Sequence, residues 1–109
     1  MAERSPRPAA KPPEACADLT DLRQQIDRLD REIVGLLAAR SGYVARAAHL
    51  KDSRRAIVDD ARIEQVIANA RSEAARRRAD PDLMEAIYRA MIAAFIAFEE
   101  RAFEVDKKN

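Results

Sequence analysis

From Leu22 the chain sets apolar side chains at alternating steps of four and three: Leu22, Ile26, Leu29, Ile33 and Leu36, then Tyr43, Ala47 and Leu50. Residues three and four apart stack on one face of a helix, so this spacing predicts one long amphipathic helix. No proline interrupts the stretch from Asp18 to about Lys51, and Asp18 or Thr20 is placed to cap its start. Gly35 and Gly42 only lower local propensity. After the polar connector Asp52-Ser53-Arg54-Arg55, a second helix is expected from a cap at Asp59 or Asp60, with Ile63, Val66, Ile67, Ala70 and Ala74 on its apolar side. It should fray near Arg76 to Ala79. A third helix starts with Asp80 as cap and Pro81 in its first turn, where a missing N–H does no harm, and continues through Phe98 towards Phe103. No strand pattern is present, so the expected fold is all-α, with one long helix and two shorter ones.

One position breaks the long seam. Arg40 occupies a step between Leu36 and Tyr43 where the pattern asks for an apolar residue. Arginine does not give up its proton, and burying its charge alone is very costly, so the seam must supply a carboxylate or bind one from outside. Whether that partner is protein or ligand decides what the chain does.

Length sharpens the expected architecture. The chain has 109 residues, enough for one domain, and four of its five prolines (Pro6, Pro8, Pro12, Pro13) fall within residues 1–17, read as a flexible tail before a helical domain over 18–109. A first helix of about 33 residues spans on the order of 50 Å, whereas a compact chain of this size has a radius of gyration of roughly 13 Å. Its seam would stay exposed unless a second copy covered it. An intertwined homodimer, with the long helices side by side, is therefore expected.

Charge narrows the partners. Lys and Arg number 20 against 19 Asp and Glu, leaving a net charge of +1 and no general field for nucleic acid or an acidic membrane. The cluster Arg71, Arg76, Arg77, Arg78 lies among acids without interleaved aromatics and reads as a solvated helix end. The start lacks a signal-peptide core and no window reaches membrane-spanning length, so the cytoplasm is the expected location. One cysteine, Cys16, excludes an intramolecular disulfide, and with one histidine, His49, it makes no metal site. No cofactor is expected.

Helical geometry relates the remaining cations. Arg40 and Lys51, eleven positions apart, lie within roughly 20° of each other around the axis and about 16 Å apart along it, so both can reach a small anion between them. Arg23 lies about 25 Å from Arg40 and roughly 100° around, and would join that site only from a second, antiparallel chain. Glu99 continues the apolar face of Tyr88, Ile92 and Phe95 on the third helix, where desolvation disfavours a charged carboxyl and a nearby cation favours it. Asp59 and Arg62 are placed to complete the lining.

The pattern LxxLRxxIDxxDxxIVxLLAxR from Leu19 to Arg40, YVxxAxxxK from Tyr43 to Lys51 and DxxR from Asp59 to Arg62 resembles the all-helical chorismate mutases. The resemblance covers roughly residues 16 to 104. It implies a dimer with two equivalent sites, each completed by an arginine of the other subunit, the place that Arg23 matches. It further implies that Arg40 and Arg23 bind the two carboxylates of chorismate and that Lys51 contacts a carboxylate and the ether oxygen. Arg62 would support the carboxylate region, Asp59 would meet the substrate hydroxyl, and Glu99 would stand against the ether oxygen. Ile63 and Phe95 depart from positions where some mutases carry glutamate and serine. Cys16, the Tyr43-Val44 pair and Phe95 resemble instead the subgroup containing isochorismate-pyruvate lyase, in which Glu99 would be glutamine.

The implied reaction, chorismate to prephenate, is a unimolecular pericyclic rearrangement. It asks the protein to hold a dianion in a compact conformation and to stabilise charge developing on the ether oxygen. Glu99 donates a hydrogen bond only when protonated, so activity should fall as pH rises. Two other readings stay open: isochorismate-pyruvate lyase, which needs the same anchored dianion, and a non-catalytic helical dimerisation module in which Arg40 pairs with a carboxylate such as Glu32. Lys51 as a helix-end cation, Asp59 as a plain cap and Glu99 as a solvated helix end are the corresponding structural readings. The sequence leaves open whether the connector over 52–58 forms a lid.

Overall fold

The computed structural model describes residues 11–108. It contains three α-helices, α1 (Leu19–Leu50), α2 (Asp60–Arg76) and α3 (Pro81–Lys108), with 3-10 turns at Pro13–Ala15 and Arg54–Ile57 and no strand among the described residues. The fold is all-helical, as expected. The chain divides into a unit ending at Ala39 and one beginning at Arg40.

In the first unit Asp18 caps α1: its carboxylate accepts from the Asp21 N–H at 2.8 Å, and its carbonyl accepts from the Leu22 N–H at 3.1 Å. Of the tail expected over 1–17, residues 1–10 lie outside the described residues. Residues 11–17 instead adopt a defined turn. Prolines at 12 and 13 fix their own φ, the Ala15 and Cys16 N–H groups close onto the carbonyls of Pro12 and Pro13, and the Asp21 carboxylate accepts from Lys11 Nζ at 2.7 Å and the Ala17 N–H at 3.2 Å. The Lys11 hydrogen bond holds the Asp21 carboxyl below its ordinary range. Further along α1 the seam residues Ile26, Leu29, Ile33 and Leu36 are 50–72% exposed.

The second unit begins with the last turns of α1, where Ala48 is fully buried. Asp59 caps α2 by accepting from the Arg62 N–H at 3.0 Å. Ile67 and Ala74, seven apart on one face, are buried as α2 packs on α3, whose Ile92 is buried in turn. Across the outside of this pair Arg89 reaches Glu64 at 3.0 Å and Glu85 at 2.7 Å, and Arg71 reaches Glu85 and Asp82 at 3.0 and 2.9 Å.

Where fraying was expected, α2 closes tightly. The Ala79 N–H donates to the Ala74 carbonyl at 2.8 Å and the Arg78 N–H to that of Ala75 at 3.1 Å, a Schellman closure with Arg78 at φ 59°. The closure satisfies carbonyls that fraying would have left to water. Asp80 then caps α3 through the Asp82 N–H at 2.9 Å, with Pro81 at the first helical position, and the helix continues past Phe103 to Lys108.

Candidate active site

Three helices and the connector enclose a cavity of about 450 Å³ within the second unit. Each wall follows from helical periodicity. Arg40, Val44 and Ala47 come from one face of α1, and Lys51 is the residue that follows it; Arg62, Ile63 and Val66 come from the first turns of α2; Ile92, Phe95, Ile96 and Glu99 from one face of α3. Ile57 of the connector, only 5% exposed, closes one side, and Asp59 stands at the rim. The volume suits a small organic ligand.

Arg40 reaches into this space with its guanidinium carbon 4.4 Å from the centre of the Phe95 ring. Its Nη1 is buried and has no hydrogen-bond partner in the described structure. A charged donor left in that state costs free energy unless something else satisfies it. Eleven residues on, Lys51 donates from Nζ to Glu99 Oε2 at 2.5 Å. The two side chains are 28% and 9% exposed, so water competes little with the pair. Glu99 is thus no solvated helix end, and Lys51 is more than a cation at the carboxy end of α1.

The other expected site residues are less enclosed. Arg62 lines the cavity but is exposed, and its Nη1 donates to Gln65 Oε1 at 2.7 Å. Asp59 spends one carboxylate oxygen on its cap and is likewise exposed. Arg40, Arg62 and Val66 also border an adjoining depression of about 400 Å³ that Asn69, Glu73 and Tyr88 complete. Arg23 belongs to the first unit and is exposed there.

Five contacts in the second unit escaped the sequence reading. Phe95 stacks on Arg40 and meets Phe98 edge to face, with ring centres 6.1 Å apart. Arg54 of the connector makes a close ion pair with Glu104 and stands 4.0 Å from Glu100. His49 Nδ1 lies 2.9 Å from Asp106, and this contact holds the Asp106 carboxyl below its ordinary range. The last turns of α3 therefore grip the end of α1 and the connector through the acids Glu99, Glu104 and Asp106. The only available signal was the row of acids at helical spacing, which does not name its partners.

Chemically, the cavity combines an unsatisfied guanidinium, an ammonium already shared with a carboxylate, and an apolar floor of Ile63, Val66, Ile92 and Ile96. Such a surface binds a compact anion with an apolar body. No group of three metal-ligating side chains is gathered among the described residues, and no described helix is long and apolar enough to cross a membrane. The sequence profile of the family described as chorismate mutase type II matches residues 22–100. The chain is also similar to the isochorismate pyruvate lyase of Pseudomonas aeruginosa, 33% identical over 87 residues that cover 80% of this chain and 86% of that protein.

Proposed function

This chain belongs to the chorismate mutase type II family, and we propose that it catalyses the rearrangement of chorismate to prephenate in the cavity between α1, α2 and α3. The observation that carries the reading is the buried, unpartnered Nη1 of Arg40 beside the Lys51–Glu99 pair. A substrate carboxylate supplies the acceptor that Arg40 lacks. Lys51 turns part of its hydrogen-bonding capacity to the substrate, meeting a carboxylate and the ether oxygen. Glu99, which accepts from Lys51 Nζ, holds the ammonium beside that oxygen. As the C–O bond breaks and the new C–C bond forms within one molecule, charge grows on that oxygen beside a cation already in place. The protein forms no covalent bond and moves no proton onto the product. Its contribution is the compact substrate conformation and the preset field. Asp59 and Arg62 attend the rim, towards the hydroxyl and the carboxylate region respectively.

Two chains complete the proposal. The exposed seam of Ile26, Leu29, Ile33 and Leu36 is the natural surface for a second copy, and an antiparallel pairing lets Arg23 of one chain serve the second carboxylate in the site of the other.

One observation favours a second reading: the relative from Pseudomonas aeruginosa is named an isochorismate pyruvate lyase. Cleavage of isochorismate to salicylate and pyruvate also needs an anchored dianion and donors at a departing ether oxygen. Supplying chorismate and isochorismate separately and identifying the products decides between them. Prephenate from chorismate is expected; salicylate with pyruvate as the dominant products assigns the lyase. Under the mutase reading Glu99→Gln, which removes the carboxylate that holds Lys51, should lower turnover in the same assay. A Glu99→Gln variant as active as the wild type removes that carboxylate from the mechanism.

A further inference from the structure

We propose that Phe95 is a positioning residue for Arg40, fixing the plane of its guanidinium so that Nη1 faces the carboxylate of the bound dianion. The inference rests on the anion-binding reading of the cavity and assigns a role to a ring that supplies no polar atom. With the guanidinium carbon 4.4 Å above the ring centre, the cation lies over the negative face of the aromatic quadrupole. A guanidinium that lies flat on a ring keeps its N–H bonds in its own plane, along the ring surface, and the orientation proposed for Arg40 leaves that fork available for bidentate donation to a carboxylate.

Burial makes this orientation consequential. Nη1 is enclosed yet unpartnered, and contact with the ring offsets part of the cost of keeping the charge inward. Phe95 is itself steadied: Phe98, three residues on along α3, meets it at 80° with ring centres 6.1 Å apart. α3 thus presents two aromatic rings in edge contact, one of which lies against the guanidinium that α1 supplies. Leucine at position 95 would fill much of the space but has no quadrupole, and lysine at position 40 has no plane to be fixed.

Because the carboxylate is held in ground state and transition state alike, losing the orientation should raise KM more than it lowers kcat. The test measures both constants for Phe95→Leu, Phe95→Tyr, Arg40→Lys and the double variant Phe95→Leu/Arg40→Lys, on whichever of chorismate and isochorismate the wild type converts. Phe95→Leu is expected to raise KM about tenfold with kcat changed by less than about threefold, while Phe95→Tyr, which keeps the ring face, stays near wild type. Arg40→Lys should cost less in the Phe95→Leu background than in the wild type, since part of what it removes is already gone. Circular dichroism and melting of each variant establish that it folds; if Phe95→Leu does not, Phe95→Met takes its place. Equal behaviour of the Leu and Tyr variants, or strictly additive losses with Arg40→Lys, would show the ring to be filler and overturn the proposal. A wild type that converts neither substrate instead overturns the anion-binding reading, and this inference with it.

Discussion

A guanidinium nitrogen buried without a partner costs free energy in the fold that holds it, and a ligand's acceptor relieves that cost. Arg40 is in that position, with the Phe95 face as partial compensation. Stability and function should therefore separate at this residue. Methionine is close to Arg in length, stays soft against the aromatic ring and brings no charge to desolvate. Arg40→Met is expected to raise the stability of the ligand-free protein by about 1 kcal/mol, a few degrees in melting temperature, while reducing turnover to background. Thermal melting paired with the substrate assay checks both halves; a lower melting temperature would mean that Arg40 is structural. The seam made Arg40 legible because a cation interrupts a regular apolar period, and its eleven-residue offset from Lys51 put both on the face that lines the cavity. The Lys51–Glu99 pair was not legible as a pair. It joins residues 48 positions apart, and only the packing of α1 against α3 selects that contact among the acids of the last helix.

Helix ends show what local rules read and what they miss. Asp80 is legible as a cap, and the pairs Asp18 or Thr20 and Asp59 or Asp60 narrow in the structure to Asp18 and Asp59, because a short acid before an apolar period has a defined local partner, the N–H two or three residues on. The end of α2 was read as frayed because its closing position carries Arg78 where glycine is the usual signal. At φ 59° an L side chain meets its own backbone, so Arg78→Gly should relieve that contact and stabilise the protein by about 0.5–1 kcal/mol after the greater unfolded-state freedom of glycine is deducted. Urea unfolding measures it, and a loss of stability would mean that Arg78 makes a compensating contact. In the same turn Arg76 and Arg77 grip Glu73 and hold its carboxyl down to about 2 from an ordinary 4.5. A carboxyl whose folded value is depressed contributes stability that is complete above the unfolded value and lost as pH falls through the folded one. The stability difference between wild type and Glu73→Gln should therefore be constant above about pH 5 and shrink between 4.5 and 2. Unfolding curves at successive pH values would reveal it, and a difference independent of pH would show that the ion pairs contribute nothing.

At the scale of the whole molecule the decisive matter is whether one chain holds a complete site. The cavity brings together Arg40, Lys51 and Arg62, and under the proposed reading it gains a further cation from Arg23, which stands exposed beside a seam of Ile26, Leu29, Ile33 and Leu36 that are each at least half exposed. Under the proposed antiparallel pairing, Arg23 acts only on the partner's site, and this has a consequence no single variant can imitate. Arg23→Ala and Arg40→Ala should each be inactive as homodimers. In a dimer of one chain of each kind, the site built on the Arg40-containing chain receives its Arg23 from the other chain and is intact, while the second site lacks both. Random pairing makes half the dimers mixed, each with one working site of two, so co-refolding equal amounts should restore about a quarter of wild-type activity. If Arg23 served its own chain's site, every site in the mixture would lack one arginine and no activity would return. Placing an aspartate in the seam, as in Ile33→Asp, should abolish the recovery by preventing the pairing itself, because the charge would be desolvated at the centre of the interface.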